Sequence, residues 1–317
     1  MSARALWVTA PRKAELGPAE TGHGTAVETL FTAISRGTER LVFEGRVPDS
    51  EVDRMRAPAQ EGTFPFPVKY GYCAVGRAME GALEGCTVFA LHPHQTTFRM
   101  AEDMLTVLPR DLPAGRAVLG ANMETALNVL WDSGAAAGDR ITVIGAGVLG
   151  VLLAYLAARL PGTDVTLSDV NAHRAAQAAA VGCAFAAPDD APVDCDVVIH
   201  ASASDAGLAR ALDCAADDAT VVEASWHGTG RTAVPLGGAF HSRRLRLVSS
   251  QVGHLPPARR PRWTHARRMA KALDLLRDPV LDTLISGETP FESLPDRYGA
   301  ILTDPDTLCH RIRYHPA

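Results

Sequence analysis

From Asp139 onward, short β-branched runs alternate with longer apolar segments of helical length. Ile141 to Ile144 reads as a strand buried on both faces, which favours a continuous apolar run over strict alternation. Gly145, Gly147 and Gly150 follow it and open an apolar helix that stops near Pro161 and Gly162. Val165 to Leu167 is a second strand. Asn171 can cap the next helix, which ends at Gly182. Asp196 to His200 is a third strand, Ser204 to Ala215 a helix, and Thr220 to Ala224 and Leu245 to Ser249 are further strands. This alternation predicts a doubly wound parallel sheet.

The first third has a different texture. Ala5 to Val8, Gly24 to Ser35, Gly71 to Gly76 and Thr87 to Leu91 are short runs of strand formers separated by Gly and Pro. Pro48 to Pro67 is polar and Pro-rich and reads as a long surface loop, a class often tied to function. Near the C-terminus, Trp263 to Arg277 is an arginine-bearing amphipathic helix, Phe291 to Leu302 a second helical segment, and Arg311 to Tyr314 a closing strand. The fold class is therefore α/β, with a β-rich domain over 1–120, a doubly wound domain over 121–256, and a return to the first domain over 257–317.

Length and composition limit the function. The 317 residues are 47% hydrophobic, enough for two domains with real cores, and the net charge is -5. That charge argues against nucleic-acid partners. The basic run Arg259 to Lys271 is expected to be a solvated helix face. No apolar stretch approaches the ~20 residues of a membrane span, and the N-terminus does not read as a signal peptide, so a cytoplasmic protein without a membrane partner is expected. The six cysteines are scattered without a CxxC pair, which argues against a structural zinc lobe and for reduced thiols.

The strongest motif is Ile141-Thr-Val-Ile-Gly-Ala-Gly-Val-Leu-Gly150, a GxGxxG pattern between a strand and a helix. Gly145 permits the tight turn, Gly147 the approach of a pyrophosphate, and Gly150 close helix–strand packing. The N–H groups opening the helix at Val148 and Leu149 favour phosphate. Asp169, about 20 residues on, stands where an acid binds the ribose hydroxyls of NAD. Arg174 keeps NADP as the alternative, since an arginine there can receive the extra phosphate. Ala201 and Ser202, at a strand C-terminus, are expected cofactor contacts.

With these motifs in place, the chain resembles the medium-chain dehydrogenase/reductase superfamily, the alcohol dehydrogenase-like proteins. The β-rich third looks like that family's GroES-like catalytic domain, 121–256 like its Rossmann domain, and Gly138-Asp139-Arg140 like the entry into the cofactor-binding strands. Ile34-Ser-Arg-Gly-Thr-Glu39 is similar to the SxGTE segment of bacteriochlorophyllide hydroxyethyl dehydrogenase-like proteins, often labelled zinc-binding alcohol dehydrogenases. The resemblance implies NAD-linked interconversion of a secondary alcohol and a carbonyl in a small-molecule substrate. It also implies a homodimer through the sheet edge near Leu245 to Val252. The zinc ligands of the family are missing: Ser35 and Arg36 replace the first Cys, Gly71-Tyr72-Cys73 replaces Gly-His-Glu, and Asn122 or Glu124 lies near the third position. Zinc is therefore not expected, and no metal ligands are assigned.

Without zinc, other groups must stabilise the substrate oxygen during hydride transfer. Tyr72 is the first candidate, with Ser35 and Thr38 as hydrogen-bonding hydroxyls, Lys69 as a cation and Glu39 as an orienting group. Thr38 and Glu39 could equally cap the following helix, and Lys69 could be a solvated surface charge. Arg36, His94, Asn122 and Glu124 are candidate substrate contacts. His92 and His94, two residues apart, would share one face of an extended strand and could hold a metal with Cys73 or His241, although surface-loop histidines are the plainer expectation. Two alternatives differ in chemistry: an NADPH-dependent enoyl or quinone-type reductase, against which Asp169 argues, and a dinucleotide-binding sensor without turnover.

Overall fold

The computed structural model describes residues Ala3–His315. The described chain divides into two compact units, one from Met1–Ala121 with Met269–Ala317, the other Asn122–Arg268.

The second unit is built on a six-stranded parallel sheet. In spatial order its strands are Ala184–Ala186, Asp164–Ser168, Arg140–Ile144, Cys195–His200, Ala215–Glu223 and Arg246–Ser249. In chain order this is third, second, first, fourth, fifth, sixth, so the sequence direction reverses beside Arg140–Ile144. That reversal is the switch point where doubly wound sheets take ligands. Val143, Val198, Ile199, Val221 and Val222 are buried, as expected for strands covered on both faces. The helix Val148–Ala157 is apolar throughout and buried from Gly150 on, which suits a helix packed on all sides.

The first unit carries two sheets. One places Lys13–Pro18, Arg4–Ala10, Val68–Lys69 and Glu61–Gly62 side by side in antiparallel pairs. The other runs Ile285–Pro290, Cys309–Arg313, Thr25–Ile34, Ala74–Ala78, Thr87–Ala90 and Thr106–Val107, with Thr97–Met100 also pairing to Thr25–Ile34. Val27, Ala74, Val88, Ala90, Phe98 and Met100 form a shared core. At Gly76 a Cβ would lie 2.4 Å from the Val27 side chain and 2.6 Å from the Glu28 carbonyl oxygen, so close strand crossing requires glycine there. The returning C-terminal segment is tied down by Arg116, whose guanidinium donates to both oxygens of Asp282 at 2.7 and 2.6 Å.

Three differences from the sequence reading have local causes. Residues 257–268 lie in the second unit, beyond the expected boundary at 256, because Trp263 packs on Trp131 and Arg268 pairs with Glu124. The strands Lys13–Pro18, Ala184–Ala186 and Ile285–Pro290 lack a contiguous β-branched run and gave no sequence signal. The helix Gly120–Ser133 also went unread. Within 48–67 the chain makes only a short turn of helix at Asp49–Glu51 and the two-residue strand Glu61–Gly62. No helix among the described residues is long and apolar enough to cross a membrane.

Candidate active site

In the second unit, the strand Arg140–Ile144 delivers the chain into the glycine-rich turn. Gly145 has φ +107°, a left-handed conformation that favours glycine, and a Cβ there would lie 2.7 Å from the Ser202 nitrogen. At Gly150 a Cβ would lie 1.7 Å from the Gly145 carbonyl oxygen, so helix and turn meet only because the side chain is missing. Nothing stands within 4 Å of a Cβ on Gly147. That open space is what a pyrophosphate approaching the backbone requires, and Gly147 is the N-cap of the helix that begins at Val148.

Asp169 follows the second strand, and its carboxylate is held in place from two sides. One oxygen accepts from the Ala146 N–H at 2.6 Å, inside the glycine-rich turn, and the other from the Asn171 N–H at 2.8 Å. Sequence spacing suggested the acid; the structure adds that it braces the turn. Arg174 is buried at the start of the next helix. Ala201 and Ser202 pack their backbone against Gly145. The residues present therefore suit a dinucleotide.

In the first unit, the strand Thr25–Ile34 runs into the helix Arg36–Phe43 through Ser35. Ser35 is the N-cap, yet its hydroxyl makes no cap bond. It accepts instead from the Tyr72 hydroxyl at 2.6 Å, and Thr38 also hydrogen-bonds to Tyr72. Burial raises the Tyr72 phenol well above its usual value, so it remains a neutral donor. Glu39 takes over the capping: one oxygen accepts from the Ser35 N–H at 2.7 Å. Its other oxygen accepts from Tyr298 at 2.7 Å and faces His94 Nε2 at 3.0 Å. His94 Nδ1 in turn contacts the Thr32 hydroxyl at 2.7 Å. Glu39 is 0% exposed and His94 1%. Glu39 thus caps the helix, as one of its two expected roles had it, and also joins a buried hydrogen-bond network.

The two positions that the family resemblance assigns to zinc ligands thus hold a serine and a phenol bonded to each other. Neither belongs to the thiolate, imidazole and carboxylate set that binds zinc, and both nitrogens of His94 are already engaged. The arrangement does not suit zinc.

Other expected site residues lie elsewhere. Lys69, expected at the surface if not catalytic, is 1% exposed; its ammonium binds Glu61 and donates to the Gln95 side chain at 2.6 Å. Burial lowers its pKa, opposed by the Glu61 bond. Arg36 donates to the Asp304 carbonyl. Glu124 is buried against Arg268 at 3.0 Å, a structural pairing within the second unit; burial raises its pKa against the pull of Arg268. Asn122, half-buried, begins that unit. His92 and His94 are not surface-loop residues, nor do they share a face: His92 stacks on Phe98 at 3.9 Å, whereas His94 joins the Glu39 network. Their backbone is irregular rather than extended in a strand, so the two-residue periodicity does not apply.

Sequence reading missed Tyr298 and Thr32, which are distant in the chain and carry no spacing signal. It also missed the linkage of His200 to Glu223. His200 Nδ1 lies 2.6 Å from a Glu223 oxygen, and His227 Nε2 lies 3.4 Å from the same oxygen. Among the described residues these three form a group with metal-ligating potential. The 2.6 Å contact is a hydrogen bond, shorter than the ~3.3 Å between two ligands on a tetrahedral zinc with bonds of about 2.0 Å.

No family model matches the chain. A curated relative, D-guloside 3-dehydrogenase of Escherichia coli, is 22% identical over 98% of this chain and 96% of its own length. Among solved structures, L-idonate 5-dehydrogenase from E. coli superposes with a TM-score of 0.79 at 13% identity, over 99% of this chain and 99% of that one. This is the alcohol dehydrogenase-like fold. An E. coli alcohol dehydrogenase, rspB, complexed with NADH gives 0.77 at 14% identity over 99% of this chain and 100% of that one. S. aureus TarJ in complex with NADPH gives 0.75 at 14% identity over the whole of both chains.

Proposed function

We propose that the protein is an NAD-dependent oxidoreductase that interconverts a secondary alcohol and a ketone on a polyhydroxylated small molecule, without zinc. The observation that carries this reading is the glycine-rich turn with Asp169 bonded into it. A carboxylate at that strand end favours the ribose hydroxyls of NAD and repels the added phosphate of NADP. The curated relative, which acts on D-guloside, and the L-idonate 5-dehydrogenase structure support a sugar-like substrate. The edge position of Arg246–Ser249 supports a homodimer.

The nicotinamide, when bound, supplies hydride transfer. The chain's own part is to hold the substrate oxygen. Tyr72 donates to the Ser35 oxygen, which leaves the Ser35 proton free to point at a substrate carbonyl or alkoxide. Glu39 fixes Ser35 through its backbone N–H, so the hydroxyl pair is positioned before substrate arrives. Asp169 orders the phosphate-binding turn and selects the nucleotide.

The test is NAD reduction, followed by nicotinamide absorbance, with a panel of methyl glycosides and polyols. The reverse reaction uses the matching keto sugars with NADH. Turnover with at least one secondary alcohol in metal-free buffer with chelator is expected. Turnover that vanishes with chelator and returns only with zinc contradicts the zinc-free part of the reading. Nucleotide binding without turnover across the panel in both directions favours a sensor.

A further inference from the structure

We propose that Ser202 is an activated nucleophile, served by His200 and Glu223, that accepts an acyl or phosphonyl group from activated esters. Ser202 also backs the glycine-rich turn at Gly145, where it is an expected cofactor contact, and the inference rests on the geometry of one strand–turn–helix. His200 ends the strand Cys195–His200, and Ser202 sits exposed in the turn before the helix Asp205–Cys214.

Three groups stand in line. Ser202 Oγ lies 2.7 Å from His200 Nε2, and His200 Nδ1 lies 2.6 Å from a Glu223 oxygen. With Nδ1–H donating to the carboxylate, Nε2 is left as an acceptor for the serine proton, the tautomer a general base needs. The carboxylate is itself fixed, its other oxygen accepting from the Ser225 N–H at 2.7 Å. His200 is fully buried, so its ring cannot swing to water, whereas the serine is open.

Two further features point to a built site. Ala203, directly after the serine, has φ +54°, a left-handed conformation that is unfavourable for a residue with a β-carbon. Strained turns that lift a serine out of a strand end are a recurrent way to present a nucleophile. Gly207 supplies the second. A Cβ there would stand 2.2 Å from Ser202 Oγ and 2.9 Å from His200 Nε2, so the Ser–His contact exists only because residue 207 has no side chain. Ser204 Oγ, 2.9 Å from Ser202 Oγ, accepts from the Gly207 N–H and can donate its proton to the Ser202 oxygen.

The step balances without a co-reactant. Ser202 Oγ bonds to the carbonyl carbon or phosphorus while His200 Nε2 takes the hydroxyl proton. The bond to the leaving alkoxide, aryloxide or fluoride then breaks, and His200 returns the proton to the leaving group. Water can release an acyl group from Ser202 by the same sequence in reverse roles.

The protein is treated with a fluorophosphonate probe, and separately with p-nitrophenyl acetate, and modified residues are mapped by mass spectrometry. A single adduct on Ser202 is expected. It should be absent in Ser202→Ala and formed at least ~100-fold more slowly in Glu223→Gln, which loses the orienting carboxylate. Gly207→Ala should slow it similarly by pushing Oγ off His200. Circular dichroism confirms folding, and either of the last two variants suffices if the other does not fold. No adduct on Ser202 in the folded wild-type protein overturns the proposal. So does an adduct formed at the wild-type rate in Glu223→Gln or Gly207→Ala.

Discussion

Replacing Glu39 by alanine should destabilise the first unit severely, and replacing it by glutamine should not. The carboxylate is 0% exposed and receives the Ser35 N–H and the Tyr298 hydroxyl at 2.7 Å each, with His94 at 3.0 Å. Alanine leaves three buried donors without their acceptor, each worth about 1–3 kcal/mol when stranded, and removes one buried methylene at about 0.8 kcal/mol. Water entering the cavity recovers part of this, so the net loss is about 3–5 kcal/mol, in line with breaking a buried polar pair. Glutamine can keep most of these contacts. Its oxygen accepts from Ser35, and its amide donates to His94, once the imidazole proton moves to Nδ1, facing Thr32, and to the Tyr298 oxygen, which leaves only the Tyr298 proton without its acceptor. A loss of about 1–2 kcal/mol is expected there. The assay is urea and thermal unfolding followed by circular dichroism. At about 2–4 °C per kcal/mol for a unit of this size, alanine should lower the midpoint by about 6–20 °C. An alanine variant within about 1 kcal/mol of wild type, or a glutamine variant equally damaged, refutes the reasoning.

Other expectations follow from single contacts. Burial pulls the His92 imidazole from 6.5 down to about 3. A depressed value means that the unfolded chain takes the proton first, so this contribution is intact above about pH 6.5. It drains as pH falls toward 3, at up to about 1.4 kcal/mol per unit. His92→Phe, keeping a ring on Phe98, should flatten the stability profile between pH 6.5 and 5; an unchanged slope contradicts the assignment. Gly150→Ala drives a methyl into the Gly145 carbonyl at 1.7 Å, so NADH affinity should fall at least ~10-fold or the second unit fail to fold. Wild-type affinity in that variant rejects the packing argument. Tyr72→Phe removes the donor to Ser35 and should lower kcat by about 10–100-fold with little change in NADH affinity. A variant with unaltered kcat removes Tyr72 from the mechanism.

The second unit was legible because its information is local. Ile141 to Gly150 places strand, turn and helix within ten consecutive residues, and Asp169 follows at a fixed interval. Gly182 with φ +88° ends its helix as its position suggested. The first unit was legible only in outline, since its sheets join strands as distant as Thr25–Ile34 and Cys309–Arg313. The pairing of Ser35 with Tyr72 was anticipated only as two separate candidates, and the closure of the Glu39 network by Tyr298 spans 259 positions. Lys69 shows the limit most plainly. A lysine in a polar neighbourhood reads as solvated, and only the fold reveals that Glu61 and Gln95 surround it in the interior. Spacing carries backbone chemistry well, but it does not carry side-chain contacts made by long-range pairing.

The most direct test of the account is a titration of the wild-type protein and Asp169→Ala with NADH and with NADPH, followed by protein-to-nicotinamide energy transfer. Wild type should bind NADH at least ~10-fold more tightly than NADPH, about 1.4 kcal/mol of discrimination, and Asp169→Ala should erase most of that difference. A folded wild-type protein that binds neither nucleotide contradicts the central claim, and a preference for NADPH contradicts the role given to Asp169.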